Sequence, residues 1–267
     1  MDIIELAKIR KMVGGSGGGG DDALKYIEAQ HAFVDLPNAT SIKPRAFISD
    51  TVITDISMPN VTSIGVHAFN GCANLALTSL PAGLTSIETQ VFGGCSKLAL
   101  TSLPDGLTSI SSGAFYGCSK LALTSLPEGL TSIGDNVFYY CTNLTLTSLP
   151  EGLTSIGRNG FSQCANLAIT SLPAGLTSIG ESAFYNCTNL ALTSLPAGLT
   201  SIGQSAFFRC TGLTTLTFEG TPTSISTAAF SSCTNLTVIN VPWAEGAVAG
   251  APWGATNATI NYNYTGE

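Results

Sequence analysis

Apolar positions recur along this chain with a long fixed period, not with the short period of one helix or strand. Phe69, Phe92, Phe115, Phe138, Phe161, Phe184, Phe207 and Phe230 stand at one constant spacing, and Phe47 precedes the first of them by one position less. An isoleucine precedes each by five residues, from Ile42 to Ile225, and a leucine follows by six, from Leu75 to Leu236. The sequence GLTSI begins at Gly83, Gly106, Gly129, Gly152, Gly175 and Gly198. Self-similarity at this period marks a solenoid, propeller or array. One such unit is too short to bury its own apolar edge, so it must stack on copies of itself.

Each unit divides into two halves. Residues 98–104, LALTSLP, open with apolar/polar alternation and predict a strand. Pro104 has no N–H for a ladder and ends that strand. Gly106 turns the chain, residues 107–110 predict a second short strand, and the segment around Phe115 predicts one tight helical turn. The expected product is a stack with two parallel ladders, rising about 4.8 Å per rung on its strand face.

A cysteine stands three residues after each of the later phenylalanines: Cys72, Cys95, Cys118, Cys141, Cys164, Cys187, Cys210 and Cys233. An even count is compatible with disulfides. Their identical place in every rung predicts instead a column of buried, reduced thiols serving as small hydrophobes. A zinc site would need a CxxC pair or a nearby histidine, and the repeat has neither.

Taken together these offsets are familiar. Residues 176–190, LTSIGESAFYNCTNL, closely resemble the repeat of the BspA-like leucine-rich repeat family, and the resemblance runs over residues 36–241. It implies a curved, right-handed leucine-rich-repeat solenoid of α/β type, made mostly of short parallel β-strands with single helical turns and capped at both ends. Its structural core would be Phe92, Phe115, Phe138, Phe161, Phe184 and Phe207 with Cys95, Cys118, Cys141, Cys164, Cys187 and Cys210. It also implies a bacterial surface protein that adheres to a host or neighbouring cell by binding its proteins, with no catalytic residues to carry over.

The flanks suggest five parts. Residues 1–13 read as a short N-terminal helix or peg, 14–20 as a Gly/Ser-rich linker, 21–35 as an N-terminal cap, 36–241 as the solenoid and 242–267 as a C-terminal cap holding Trp243 and Trp253. Within the first cap, DDALKYIEAQHAF (21–33) is expected to be helical, with Asp21 or Asp22 as N-cap. Both ends loosely resemble modules of prophage-type surface and tail-associated proteins of gut Firmicutes. Residues 1–13 are therefore a candidate anchor to a particle or cell-surface scaffold.

Composition narrows the function. Apolar residues are 44% of the chain and charged residues 10%, against about 25% charged in ordinary globular proteins. The net charge is −7 with no basic stripe, which argues against nucleic acid. No apolar run reaches the length of a membrane helix. The N-terminus MDIIELAKIRKMV has acids at Asp2 and Glu5 and no uninterrupted apolar core, unlike a signal peptide. Expected locations are the cell surface, the extracellular space or a virion. The two histidines, His31 and His67, lack a repeated Ser, Cys or acid partner, so neither enzyme activity nor a cofactor or metal is expected.

The positions just after each core phenylalanine vary most, and four of the eight leading ones are aromatic: Tyr116, Tyr139, Tyr185 and Phe208, with Tyr140 beside Tyr139. Stacking would place them in one column. Two readings stand: an aromatic stripe for a protein or glycan partner, or rings that pack over neighbouring turns and complete the fold. A weaker candidate is the acidic row Asp105, Glu128 and Glu151, which reads more simply as a solvated edge. A passive structural spacer is the remaining alternative to recognition.

Overall fold

The computed structural model describes residues 13–14, 25–26 and 32–266. They form a solenoid of about 10 turns, with parallel strands along the stack and no helix among the described residues.

One ladder is regular. Two-residue strands of the type Ser155–Ile156 recur from Ser41–Ile42 to Ser224–Ile225, and each pairs in parallel with copies of itself, as Ser155 with Ser178 and Ile156 with Ile179. Alternation turns the isoleucine into the core, where Ile156 and Ile179 are buried, and the serine outward. The threonine ahead of the pair fastens the rungs. Thr154 donates both its N–H (2.9 Å) and its hydroxyl (3.0 Å) to the carbonyl of Thr131, its own copy one period earlier in the chain.

The second ladder departs from expectation. Residues 98–103 and most of their central copies are not strands, and one backbone bond per rung remains there, as from Ala122 N–H to the Leu100 carbonyl at 3.1 Å. The cause is the spacing of inward residues. Leu98, Leu100 and Leu103 are buried, at steps of two and then three. A step of three breaks the period of two that a strand requires. At the ends of the stack the order reverses: Ile53, Ile56 and Met58, then Leu213, Leu216 and Phe218, then Leu236, Ile239 and Val241 are buried. There the last two inward residues lie two apart, and the strands Asp55–Ser57, Thr215–Phe218 and Val238–Asn240 form. The one central copy that becomes a strand, Ser194–Leu195, is the rung that borders Thr215–Phe218 and pairs with it.

The expected helical turn is also replaced. In the Phe69 rung, the N–H groups of His67, Phe69 and Gly71 donate to the carbonyls of Thr89, Val91 and Gly93 on the next rung, at 3.0, 2.9 and 2.7 Å. Ala68, Asn70 and Cys72 donate back to Gly65, His67 and Phe69 within the rung, at 3.1, 3.2 and 3.0 Å. Alternate amides thus bind up the stack and close local turns, a division no helix permits. It places a left-handed residue two before and two after each phenylalanine from Phe47 to Phe207, as at His67 (φ 57°) and Gly71 (φ 78°), or Asn136 (φ 56°) and Tyr140 (φ 60°).

Between these sides runs the core. All the repeat phenylalanines from Phe47 to Phe230 stack on their copies, with centroids 5.1 to 5.7 Å apart. Offset stacking relieves the repulsion of two ring faces and lets one residue type fill every rung. The eight cysteines are buried and unpaired beside them, as the period predicts.

Both ends have covers. Val13–Gly14 pairs antiparallel with Ser41–Ile42, and Lys25–Tyr26 pairs antiparallel with Val34 and Asp35. The helix expected over 21–33 is therefore replaced by a strand at Lys25–Tyr26, because the first rung presents an open ladder edge whose backbone groups need partners. The remainder of the expected helix up to residue 31, and residues 1–12 of the expected peg, lie outside the described residues. At the far end Thr259–Asn261 adds a last parallel strand to Val238–Asn240. Trp253 is fully buried, donates its indole N–H to the Ala249 carbonyl at 2.8 Å, and meets Phe218 and Trp243 at centroid distances of 5.9 and 6.3 Å.

Candidate functional site

The position after each core phenylalanine is held by the backbone alone. The N–H of Tyr116 closes its own turn onto Gly113 (3.0 Å), and its carbonyl receives the Gly94 N–H of the rung below (2.6 Å). Tyr185 is fixed in the same way by Ser182 (3.1 Å) and Gln163 (2.7 Å). These backbone bonds call for no particular side chain, and the position holds Asn70, Gly93, Ser162 and Ser231 as well as aromatic rings.

The rings nevertheless gather. Tyr116 and Tyr139 lie 5.2 Å apart at an interplanar angle of 31°, and Tyr140 meets Tyr139 edge-on at 4.6 Å and 81°. Further along, Tyr185 and Phe208 stack at 4.7 Å and 12°. Ser162, buried, separates the two groups. Tyr116 and Tyr140 are 43% and 46% exposed, whereas Tyr139, Tyr185 and Phe208 are half-buried. Tyr140 stands at the left-handed position that is glycine in Gly71, Gly94 and Gly117. Partial burial, then the neighbouring Tyr140 and Tyr116, push the Tyr139 hydroxyl pKa upward, so it stays protonated and able to donate.

Polar side chains border the column. Asn186 donates to the Gln163 side chain at 2.9 Å, and Arg158 approaches Glu181 at 3.7 Å. Sequence reasoning missed the left-handed positions that aim these residues. Their signal was present as the recurrence of Gly, Asn and Ser two residues either side of the phenylalanine.

Other surfaces offer less. A shallow trough of about 550 Å³ follows the regular ladder past Ser155, Gly157, Ser178 and Gly180. A Cβ at Gly180 would lie 2.7 Å from the Gly157 carbonyl carbon, whereas at Gly134 the nearest atom would be 3.5 Å away. The acidic row Asp105, Glu128 and Glu151 is exposed. His67 occupies a left-handed turn position, and His31 lies outside the described residues. Among the described residues no group of three or more His, Cys, Asp or Glu is placed to hold a metal ion, and no helix is long and apolar enough to cross a membrane.

The fold has known counterparts. A leucine-rich repeat protein from Bacteroides ovatus superposes with a TM-score of 0.63 at 23% identity, over 86% of this chain and 68% of that one. A leucine rich cell surface protein from Faecalibacterium prausnitzii matches with a TM-score of 0.46 at 22% identity, over 88% of each chain. None of the curated proteins compared with the chain is similar to it. The model of the BspA type leucine rich repeat region, with 6 copies, matches residues 40–168 and 154–244. With most of its length matched, the chain belongs to the BspA-type leucine-rich repeat family.

Proposed function

We propose that this chain is a non-enzymatic recognition and adhesion module, and that it holds a protein or glycan partner on the column formed by Tyr116, Tyr139, Tyr140, Tyr185 and Phe208. One observation carries the reading. Large rings project at a position that neighbouring rungs fill with Gly, Ser or Asn, so stability alone does not call for them. Tyrosine supplies contact area with few rotamers to freeze, and its hydroxyl adds a directed hydrogen bond, which is why such residues dominate binding energy elsewhere. Membership of the BspA-type family supports a place on a bacterial surface. Display on a particle through residues 1–13 is the alternative setting for the same module.

The test is the variant carrying Tyr116→Ser, Tyr139→Ser, Tyr185→Ser and Phe208→Ser, assayed for adhesion to host cells and on a glycan array. Serine is native at two positions of this column, Ser162 and Ser231, so the variant is expected to fold. Adhesion should fall at least tenfold. Unchanged adhesion with an intact melting transition would remove the column from the function and leave the passive spacer.

A further inference from the structure

Each rung from Phe69 to Phe230 carries a buried thiol that donates to a main-chain carbonyl of the rung below. Cys95, Cys118, Cys141, Cys164, Cys187 and Cys210 donate to Phe69, Phe92, Phe115, Phe138, Phe161 and Phe184 at 3.0 to 3.1 Å. Exposure is zero for all but Cys233, at 3%. Burial also pushes the Cys141 thiol pKa well up, which removes the thiolate that disulfide exchange requires.

The same column is ill-suited to disulfides. The rungs are in register, and parallel ladders in such a stack repeat at about 4.8 Å. The phenylalanine rings three residues before the cysteines repeat at no less than 5.1 Å. A disulfide requires a Cβ separation of about 3.5–4.5 Å. Backbone bonds between rungs fix the spacing, as from the Phe138 N–H to the Gly160 carbonyl at 2.9 Å and from the Tyr140 N–H to the Ser162 carbonyl at 3.0 Å. Cysteines two rungs apart are separated by about twice the rung spacing and are out of reach altogether. In the unstacked chain none of these restraints exists. Cysteines one repeat apart then close short loops at modest entropic cost.

We propose that the thiol column makes folding of this solenoid conditional on a reducing environment: the stacked chain is closed to oxidants, while a chain oxidised before stacking is excluded from native packing. The oxidant is a small-molecule disulfide. A cysteine thiolate attacks one of its sulfurs and expels one thiolate, leaving a mixed disulfide. A second cysteine thiolate of the chain attacks the protein sulfur and expels the other. Two protein thiols are oxidised to one disulfide, and one small disulfide is reduced to two thiols. The stack must therefore form before the chain meets an oxidising compartment.

The experiment takes the full chain through a urea series with millimolar oxidised glutathione and counts free thiols. Loss should begin only where circular dichroism shows unfolding, with all eight thiols retained below that point. Thiol loss at urea concentrations well below the transition would overturn the closed stack. Samples oxidised in urea are then diluted, and should recover a cooperative melt only after dithiothreitol is added. Recovery with disulfides still in place would overturn the exclusion of oxidised chains.

Discussion

The thiol of Cys141 donates to the carbonyl oxygen of Phe115 at 3.1 Å, across the step between two rungs. The same oxygen already accepts the N–H of Cys118, also at 3.1 Å. A buried carbonyl has two lone pairs, and this pairing uses both. Valine would fill the space but donate nothing, and serine would donate but lose more on leaving water. Cysteine answers both demands, and the structure repeats the answer in every rung from Cys72 to Cys233.

Cys141→Ala should therefore destabilise the chain by about 1–3 kcal/mol, from the lost bond and the small cavity together. Cys141→Ser keeps a donor but loses more on leaving water, so it too should be less stable than the parent. Urea unfolding of the three proteins decides this. An alanine variant as stable as the parent would mean that the thiol contributes neither packing nor a bond.

Alkali should unfold the protein steeply. Burial raises the folded-state pKa of Cys72 and Cys233 from 9.0 to about 12, and carries that of Cys141, Cys187 and Cys210 well above 9.0. Below pH 9 both states hold these protons and the thiols do not change stability with pH. Above it the unfolded chain releases them while the folded chain retains them, so stability falls as pH rises through the window from 9 to 12. Each thiol adds a slope of up to about 1.4 kcal/mol per pH unit. Melting temperatures measured from pH 8 to 11 should be level and then drop, and a flat profile would contradict the buried column.

Phe138→Ala removes a fully buried ring that stacks on Phe115 at 5.7 Å and on Phe161 at 5.3 Å. The backbone on both sides is bonded to neighbouring rungs, so the cavity cannot collapse. The expected cost is about 3–5 kcal/mol. A melting curve that does not move would show that Phe138 is not a core position.

The architecture was legible because one fixed period forces one environment on every copy: Phe, Ile and Cys each reappear in a buried column. Two local forms were not. Residues 98–100 alternate like a strand, but Leu103 shifts the inward phase by one, and the ladder opens where the sequence promised pairing. The segment around Phe115 reads as a helical turn, yet its amides bond alternately within and between rungs, a choice that exists only once a neighbour is present. The column of Tyr116, Tyr139, Tyr185 and Phe208 follows from register alone, whereas the buried gap at Ser162 and the edge-on Tyr140 arise from packing between rungs.

Two glycines of the repeat should answer differently to one methyl group. A Cβ at Gly180 would stand 2.7 Å from the carbonyl carbon of Gly157 and 2.8 Å from the Arg158 nitrogen. Both are backbone atoms, the Gly157 N–H bonded to the Ile133 carbonyl and the Arg158 N–H to the Asp135 carboxylate, so neither yields freely, and Gly180→Ala should cost about 1–3 kcal/mol. At Gly175 the nearest atoms are 4.0 Å away and no positive φ is required. Gly175→Ala should therefore be neutral, or stabilise by about 0.4–1 kcal/mol through a less flexible unfolded chain. Chemical denaturation of the pair tests whether glycine in this fold marks close approach of successive rungs or merely a turn, and equal effects at the two sites would reject the distinction.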